Sequence, residues 1–94
     1  MFVLHVDLEV KPGLHEDIEA VYKTVFCPAI SKQAGYHSVG LLRPTENGDR
    51  YRLTIAFTNR EFQQQWVATE LHQEVWPQIE SRSAGFSVNY YTAV

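Results

Sequence analysis

The stretch Phe2-Val3-Leu4-His5-Val6-Asp7-Leu8-Glu9-Val10 alternates between two faces along its whole length. Phe2, Leu4, Val6, Leu8 and Val10 fall on one side, and Val3, His5, Asp7 and Glu9 on the other. Successive side chains of a strand point to opposite faces, so this is a strand with one apolar face. The segment that follows supplies a cover for that face. Lys11-Pro12-Gly13 turns the chain. Leu14, Ile18, Val21 and Val25 then recur at spacings of four, three and four, the period of an amphipathic helix. Glu16, Asp17 and Glu19 give the helix a polar side near its N-terminus, where its dipole favours acids. Pro28 is expected to kink or end it.

The same two periods organise the rest of the chain. Ala34-Gly35 leads into a second strand, Tyr36 to Arg43. The segment Pro44-Thr45-Glu46-Asn47-Gly48-Asp49 reads as a hairpin loop, with Asn-Gly as its strongest turn signal. A third strand, Arg50 to about Phe57, carries Tyr51, Leu53, Ile55 and Phe57 on one face and Arg52, Thr54, Ala56 and Thr58 on the other. Thr58-Asn59-Arg60-Glu61 has the form of a capping box and opens a second helix through Phe62 and Trp66. Leu71, Val75 and Ile79 continue its apolar stripe, and Pro77 inside the stripe predicts a bend or two short helical pieces. After Ser83-Ala84-Gly85 a last strand sets Phe86, Val88 and Tyr90 against Ser87, Asn89 and Tyr91. The order is β-α-β-β-α-β in one domain spanning residues 1–94. This is the ferredoxin-like α+β arrangement, with two helices on the apolar face of a four-stranded antiparallel sheet. The opposite face is mixed in character. It suits either water or a second copy of itself.

Composition narrows the function classes. The chain carries a net charge of -3 with no Lys/Arg cluster, a poor match to a phosphate backbone, so no nucleic-acid partner is expected. No apolar run reaches the length of a membrane span, and nothing at Met1 resembles a signal peptide. A single cysteine, Cys27, cannot form an internal disulfide. A cytoplasmic location is the expectation. There is no Gly-rich phosphate loop, no Rossmann fingerprint and no metal-ligand spacing, so no cofactor or metal is expected.

Several stretches, taken in order, resemble a known family. They are Val3 to Leu8 with Lys11-Pro12-Gly13, Pro28-Ala29-Ile30, Gly35-Tyr36, Tyr51-Arg52-Leu53, and Trp66 before Leu71-His72-Gln73-Glu74-Val75-Trp76-Pro77. The ordered set is similar to the antibiotic biosynthesis monooxygenase domain family over nearly the whole chain. The resemblance implies a ferredoxin-like domain that pairs sheet to sheet into a dimeric α+β barrel, which would give the mixed face a homodimer partner. It also implies a cofactor-independent monooxygenase that oxidises a small aromatic phenol, anthrone or quinol with O2. Other members degrade haem, isomerise sugar phosphates or lack known activity, so the fold names a scaffold and not a reaction. The alternatives are a non-catalytic dimeric ligand-binding or stress-response domain, and a haem-degrading enzyme. The haem branch uses a strand-one asparagine and a histidine about ten residues after the tryptophan. This chain has no asparagine in that strand and has Trp76 at the downstream position.

Within that frame Trp66 matches the family's helix tryptophan and is expected to wall a cavity between helices and sheet; on its own pattern it reads as a core residue. His72, four residues before Trp76, is a candidate acid/base group because imidazole exchanges protons near neutral pH. The other reading of His72 is a partly exposed residue at the helix break. In some relatives an aromatic hydroxyl stands near this place. Tyr22, Phe26, Tyr51, Phe62 and Trp76 are candidates to line an aromatic pocket, and each also suits a core. His5 and Asp7 point to the mixed face, and His15 and His37 to the surface. Cys27 reads as a small buried hydrophobe. Arg43 and Arg52 either hold an anionic group or end their strands in solvent.

Overall fold

The computed structural model describes residues 1–94. Its sheet has the order β2-β3-β1-β4, built from β1 (Phe2–Val10), β2 (Tyr36–Leu42), β3 (Arg50–Phe57) and β4 (Ser83–Thr92). All three pairings are antiparallel. The two most apolar strands, β1 and β3, are the central ones, each with two neighbours. Leu4, Val6 and Leu8 stand opposite Ile55, Leu53 and Tyr51 on one side, and opposite Tyr90, Val88 and Phe86 on the other. The helix side of these strands, with Ile18, Phe26, Ile30, Trp66, Val75 and Ile79 from the helices, forms one buried core. No helix is long and apolar enough to cross a membrane.

The mixed face lies bare of helices. Asp7 and Arg52, paired in register, join through Oδ1 and Nε at 2.7 Å. The His5 ring lies 4.9 Å from that of Tyr91.

Neither of the two helix prolines, Pro28 and Pro77, ends a helix. The first helix passes through Pro28 without a break: α1 (His15–Val21) runs into a π turn (Tyr22–Phe26) and on into α2 (Cys27–Ile30). In the π turn the Cys27 N–H donates to the Tyr22 carbonyl. The wider turn absorbs the missing proline donor just ahead of it. The second helical region does divide in two, but at Ala68-Thr69 and not at Pro77. Its pieces are α3 (Arg60–Val67) and α4 (Glu70–Glu80), and Pro77 sits inside α4. The carbonyl that Pro77 leaves free is that of Gln73, an exposed residue, where water serves it.

Local polar chemistry sets the junctions. Asn59, not Thr58, caps α3, with its side chain accepting from the Phe62 N–H. Thr58 instead donates its hydroxyl and its N–H to the Gly35 carbonyl. Gly35 has φ +75, and a Cβ there would collide with the Phe62 ring, so the chain needs glycine at this point. The connection between β2 and β3 is a broad loop rather than a tight Asn-Gly turn, since only Gly13 and Gly35 have positive φ and the tight turn requires it.

Candidate functional site

A cavity of about 160 Å3 lies between α3, α4 and the helix side of the sheet. Its floor is Leu4, Val6, Leu53 and Ile55 from β1 and β3. Phe26, Trp66, Val67 and Trp76 close it from the helices, and Phe86, Val88 and Tyr90 from β4. β4 is an edge strand with a single neighbour. Phe86 and Tyr90 are therefore 44% and 52% exposed, and this side is the mouth. Beyond the tyrosine, four lining residues carry hydrogen-bonding groups: Gln63, His72 and the indoles of Trp66 and Trp76, which can only donate.

One hydroxyl organises the roof. The Thr69 hydroxyl donates to the Trp66 carbonyl at 2.7 Å, beside the Thr69 N–H that donates to the same oxygen at 3.1 Å at the end of α3. It accepts from the His72 N–H at 3.1 Å, capping α4. Residues six apart in sequence are thereby brought edge to face, with the Trp66 and His72 rings 5.1 Å apart at 84°. Phe26 meets the same indole edge-on, with 6.2 Å between centroids. Trp66 is only 2% exposed, so it is both a core residue and a cavity wall.

The state of His72 follows from its neighbours. Burial pushes its pKa below the ordinary histidine value, because the cation loses hydration there. The ring is thus neutral at pH 7. The Gln73 carboxamide nitrogen donates to the Val67 carbonyl at 3.0 Å, which fixes the orientation of that amide. The same nitrogen stands 3.3 Å from His72 Nδ1. Its second N–H donates to the ring, so the neutral imidazole carries its proton on Nε2. His72 is poised as a hydrogen-bond donor.

Gln63 is the residue that sequence reasoning missed. It is 9% exposed yet borders the cavity. The side-chain hydrogen bonds of α3, α4 and their junctions are made by Asn59, Thr69, Gln73, His72 and Gln78, and the Gln63 carboxamide enters none of them. The amide makes no protein hydrogen bond but keeps some access to solvent, since Arg82 Nε is the one buried side-chain polar atom left without a partner. Its donor and acceptor are therefore available to a ligand in the cavity. Its position three residues before Trp66 puts it on the same helical face, the signal that pointed to it.

Of the predicted pocket residues, Trp66, His72, Phe26 and Trp76 come together in this cavity, while Tyr51, Tyr22 and Phe62 lie outside it. Tyr51 lies along β3 beyond the Leu53 and Ile55 of the floor and on the far side of β1 from Phe86. There its hydroxyl donates to Glu19 Oε2 at 2.6 Å. Burial first, and then Glu19, push its pKa up to about 12. Arg43 reaches the same carboxylate at 3.7 Å, and His15 bonds Asp49 at 2.8 Å. Tyr22 belongs to the π turn, and its pKa is pushed up to about 12, by burial first and then by Cys27. Phe62 packs on the core over Gly35. No three His, Cys, Asp or Glu side chains gather in a metal-binding group.

Comparison with known proteins bears on this site directly. The family model described as antibiotic biosynthesis monooxygenase matches residues 1–77. The chain belongs to the antibiotic biosynthesis monooxygenase family. The match covers both cavity-forming helical regions and stops short of β4, which carries the mouth residues. No curated protein sequence matches the chain. Among solved structures, the chain resembles SnoaB, a cofactor-independent oxygenase from Streptomyces nogalater. The TM-score is 0.85 at 17% identity, covering 99% of this chain and 93% of that one. A Bordetella bronchiseptica protein named for the same family gives 0.85 at 22% identity, covering 99% and 97%. A conserved protein from Methanosarcina mazei Go1 gives 0.84 at 15% identity, covering 96% and 89%. At these identities the likeness is one of fold, which this monooxygenase-family chain shares across its length. A haem does not fit the site: about 160 Å3 is close to the roughly 150 Å3 that accepts one benzene ring, far below a tetrapyrrole.

Proposed function

We propose that this family member is a cofactor-independent monooxygenase acting on a small electron-rich phenol, quinol or anthrone, and that it works as a homodimer. The observation that carries the reading is that the Gln63 amide, free of protein hydrogen bonds, and the neutral His72 ring line the same largely apolar, aromatic-walled cavity. The cavity encloses about one ring; the further rings of a naphthol or anthrone extend through the mouth between Phe86 and Tyr90.

The chemistry follows from this setting. Ground-state O2 reacts slowly with closed-shell molecules, but a phenolate or enolate can give it one electron. Ionising the substrate oxygen is therefore the step the protein has to assist. The Gln63 N–H and the His72 Nε2–H converge as donors on that oxygen and stabilise its negative charge in a low-dielectric space. The released proton leaves by the mouth. His72 acts here as a donor and not as the base, since Gln73 occupies its Nδ1. Trp66 and Phe26 hold the ring, and the apolar floor admits O2. One-electron transfer gives a substrate radical and superoxide, which combine at carbon as a peroxide. Loss of water leaves the carbonyl: a CH2 is oxidised to C=O, and O2 supplies one oxygen to the product and one to water. The substrate does the redox work, so the protein supplies only binding and electrostatics.

Dimer formation is argued from the bare sheet face, where Val3, His5 and Tyr91 mix apolar surface with the Asp7–Arg52 pair. Light scattering should give twice the chain mass; a monomer at micromolar concentration opposes it. For the activity, an oxygen electrode with an anthrone and naphthoquinol panel should record uptake above the enzyme-free blank. No uptake alongside intact aromatic binding would favour a ligand-binding domain instead.

A further inference from the structure

We propose that Arg60 is a specificity-determining residue of this cavity, selecting aromatic ligands that carry a carboxylate on the ring remote from their hydroxyl. The inference rests on the reading of the cavity as an aromatic site and adds a charge requirement to it.

Arg60, Gln63 and Val67 fall at i, i+3 and i+7 of α3 and so share one face of the helix. Gln63 and Val67 line the cavity; Arg60 stands one turn further out, on the rim. The Tyr90 ring bridges the two places, lining both the cavity and an outer groove of about 470 Å3 that Arg60 borders. The Arg60 guanidinium lies over Phe2 at 5.2 Å and over Tyr90 at 5.8 Å from the ring centroids. Phe2 and Tyr90 are themselves stacked, 5.6 Å apart.

A structural cation–π contact accounts for the face of the guanidinium but not for its edge. The guanidinium's contacts are with the two ring faces, which take up none of its N–H donors in a hydrogen bond, and the fork of donors is free to grip a carboxylate. Arg43 and Arg52 spend their donors on Glu19 and Asp7, and Arg82 on the Gln78 carbonyl. Arg60 enters none of the ion pairs. The neighbouring Asn59 does not compete, because its side chain caps α3. A bicyclic ligand whose hydroxyl reaches Gln63 and His72 has its far ring at the mouth beside Tyr90. A carboxylate on that ring meets the Arg60 fork.

The test is calorimetric titration with two probes: a hydroxynaphthoate with hydroxyl and carboxylate on opposite rings, and the parent naphthol. Wild type should bind the hydroxynaphthoate about tenfold more tightly, the lower end for a charge-assisted bond. Arg60→Gln should bind both equally, with naphthol affinity unchanged. A merely structural Arg60 would leave that ratio untouched by the substitution. If wild type binds naphthol but shows no preference, or Arg60→Gln keeps the preference, the Arg60 inference fails alone. If naphthol itself does not bind, the aromatic-site reading falls and takes this inference with it.

Discussion

Gln63→Leu should make the protein more stable and its site worse. Leucine and glutamine have nearly the same helix propensity, so the change is confined to the amide. Gln63 as a residue is 9% exposed, and its amide makes no protein hydrogen bond while keeping some access to solvent. Replacing it with an apolar side chain breaks no protein hydrogen bond and removes a partly desolvated polar group. The fold is thereby stabilised by up to about 1 kcal/mol, the low end for a polar group taken from water. For a domain of roughly 60–100 residues this corresponds to a rise of up to about 4–8 °C in melting temperature. The same substitution deletes one hydrogen bond to the ligand and should weaken naphthol binding about five- to tenfold. Calorimetric melting and titration measure both on one sample. A fall in melting temperature would mean the amide holds the fold together, and unchanged affinity would mean it does not meet the ligand; either refutes the assignment.

Trp66→Ala should move stability the other way. Deleting a tryptophan that is 2% exposed costs about 3–5 kcal/mol, and the existing cavity beside it argues for the low end, a drop of roughly 12–24 °C in a thermal melt; a drop of only a few degrees would show the indole to be loosely held. His72→Gln tests the buried neutral imidazole. The folded-state pKa lies below the unfolded value, so the unfolded chain binds the proton first, and wild type loses stability as pH falls from about 6.5 toward the folded pKa. The difference in melting temperature between wild type and His72→Gln should therefore move against wild type between pH 7.5 and pH 5.5; a difference independent of pH would place the ring in water.

The fold was legible because period alone decides it. The unbroken alternation of residues 2–10 marks a central strand, and the Leu14-Ile18-Val21-Val25 spacing marks its cover. Breaks were less legible because hydrogen bonding fixes them. Pro77 is the louder signal, yet Thr69 divides α3 from α4, since its hydroxyl serves both helix ends at once. The site was half legible. Trp66 and His72 could be placed on one helical region, but their contact depends on that junction. Tyr51 has the right face but lies beyond Leu53 and Ile55 along β3, where its hydroxyl turns to Glu19. Gln63 hides because a glutamine on an amphipathic helix reads as solvent-facing. It faces inward because it shares the Trp66 side of the helix and β4 passes opposite.

The central claim is that this cavity directs O2 onto an electron-rich aromatic without a cofactor. Turnover of an anthrone or naphthoquinol under oxygen-18 gas, with product analysis by mass spectrometry, tests it most directly. For a CH2 substrate the account predicts a carbonyl product carrying one oxygen-18 atom from the gas, formed by metal-stripped protein and slowed by Gln63→Leu. Unlabelled product from the CH2 substrate, or a labelled yield no greater than the enzyme-free blank, would contradict it.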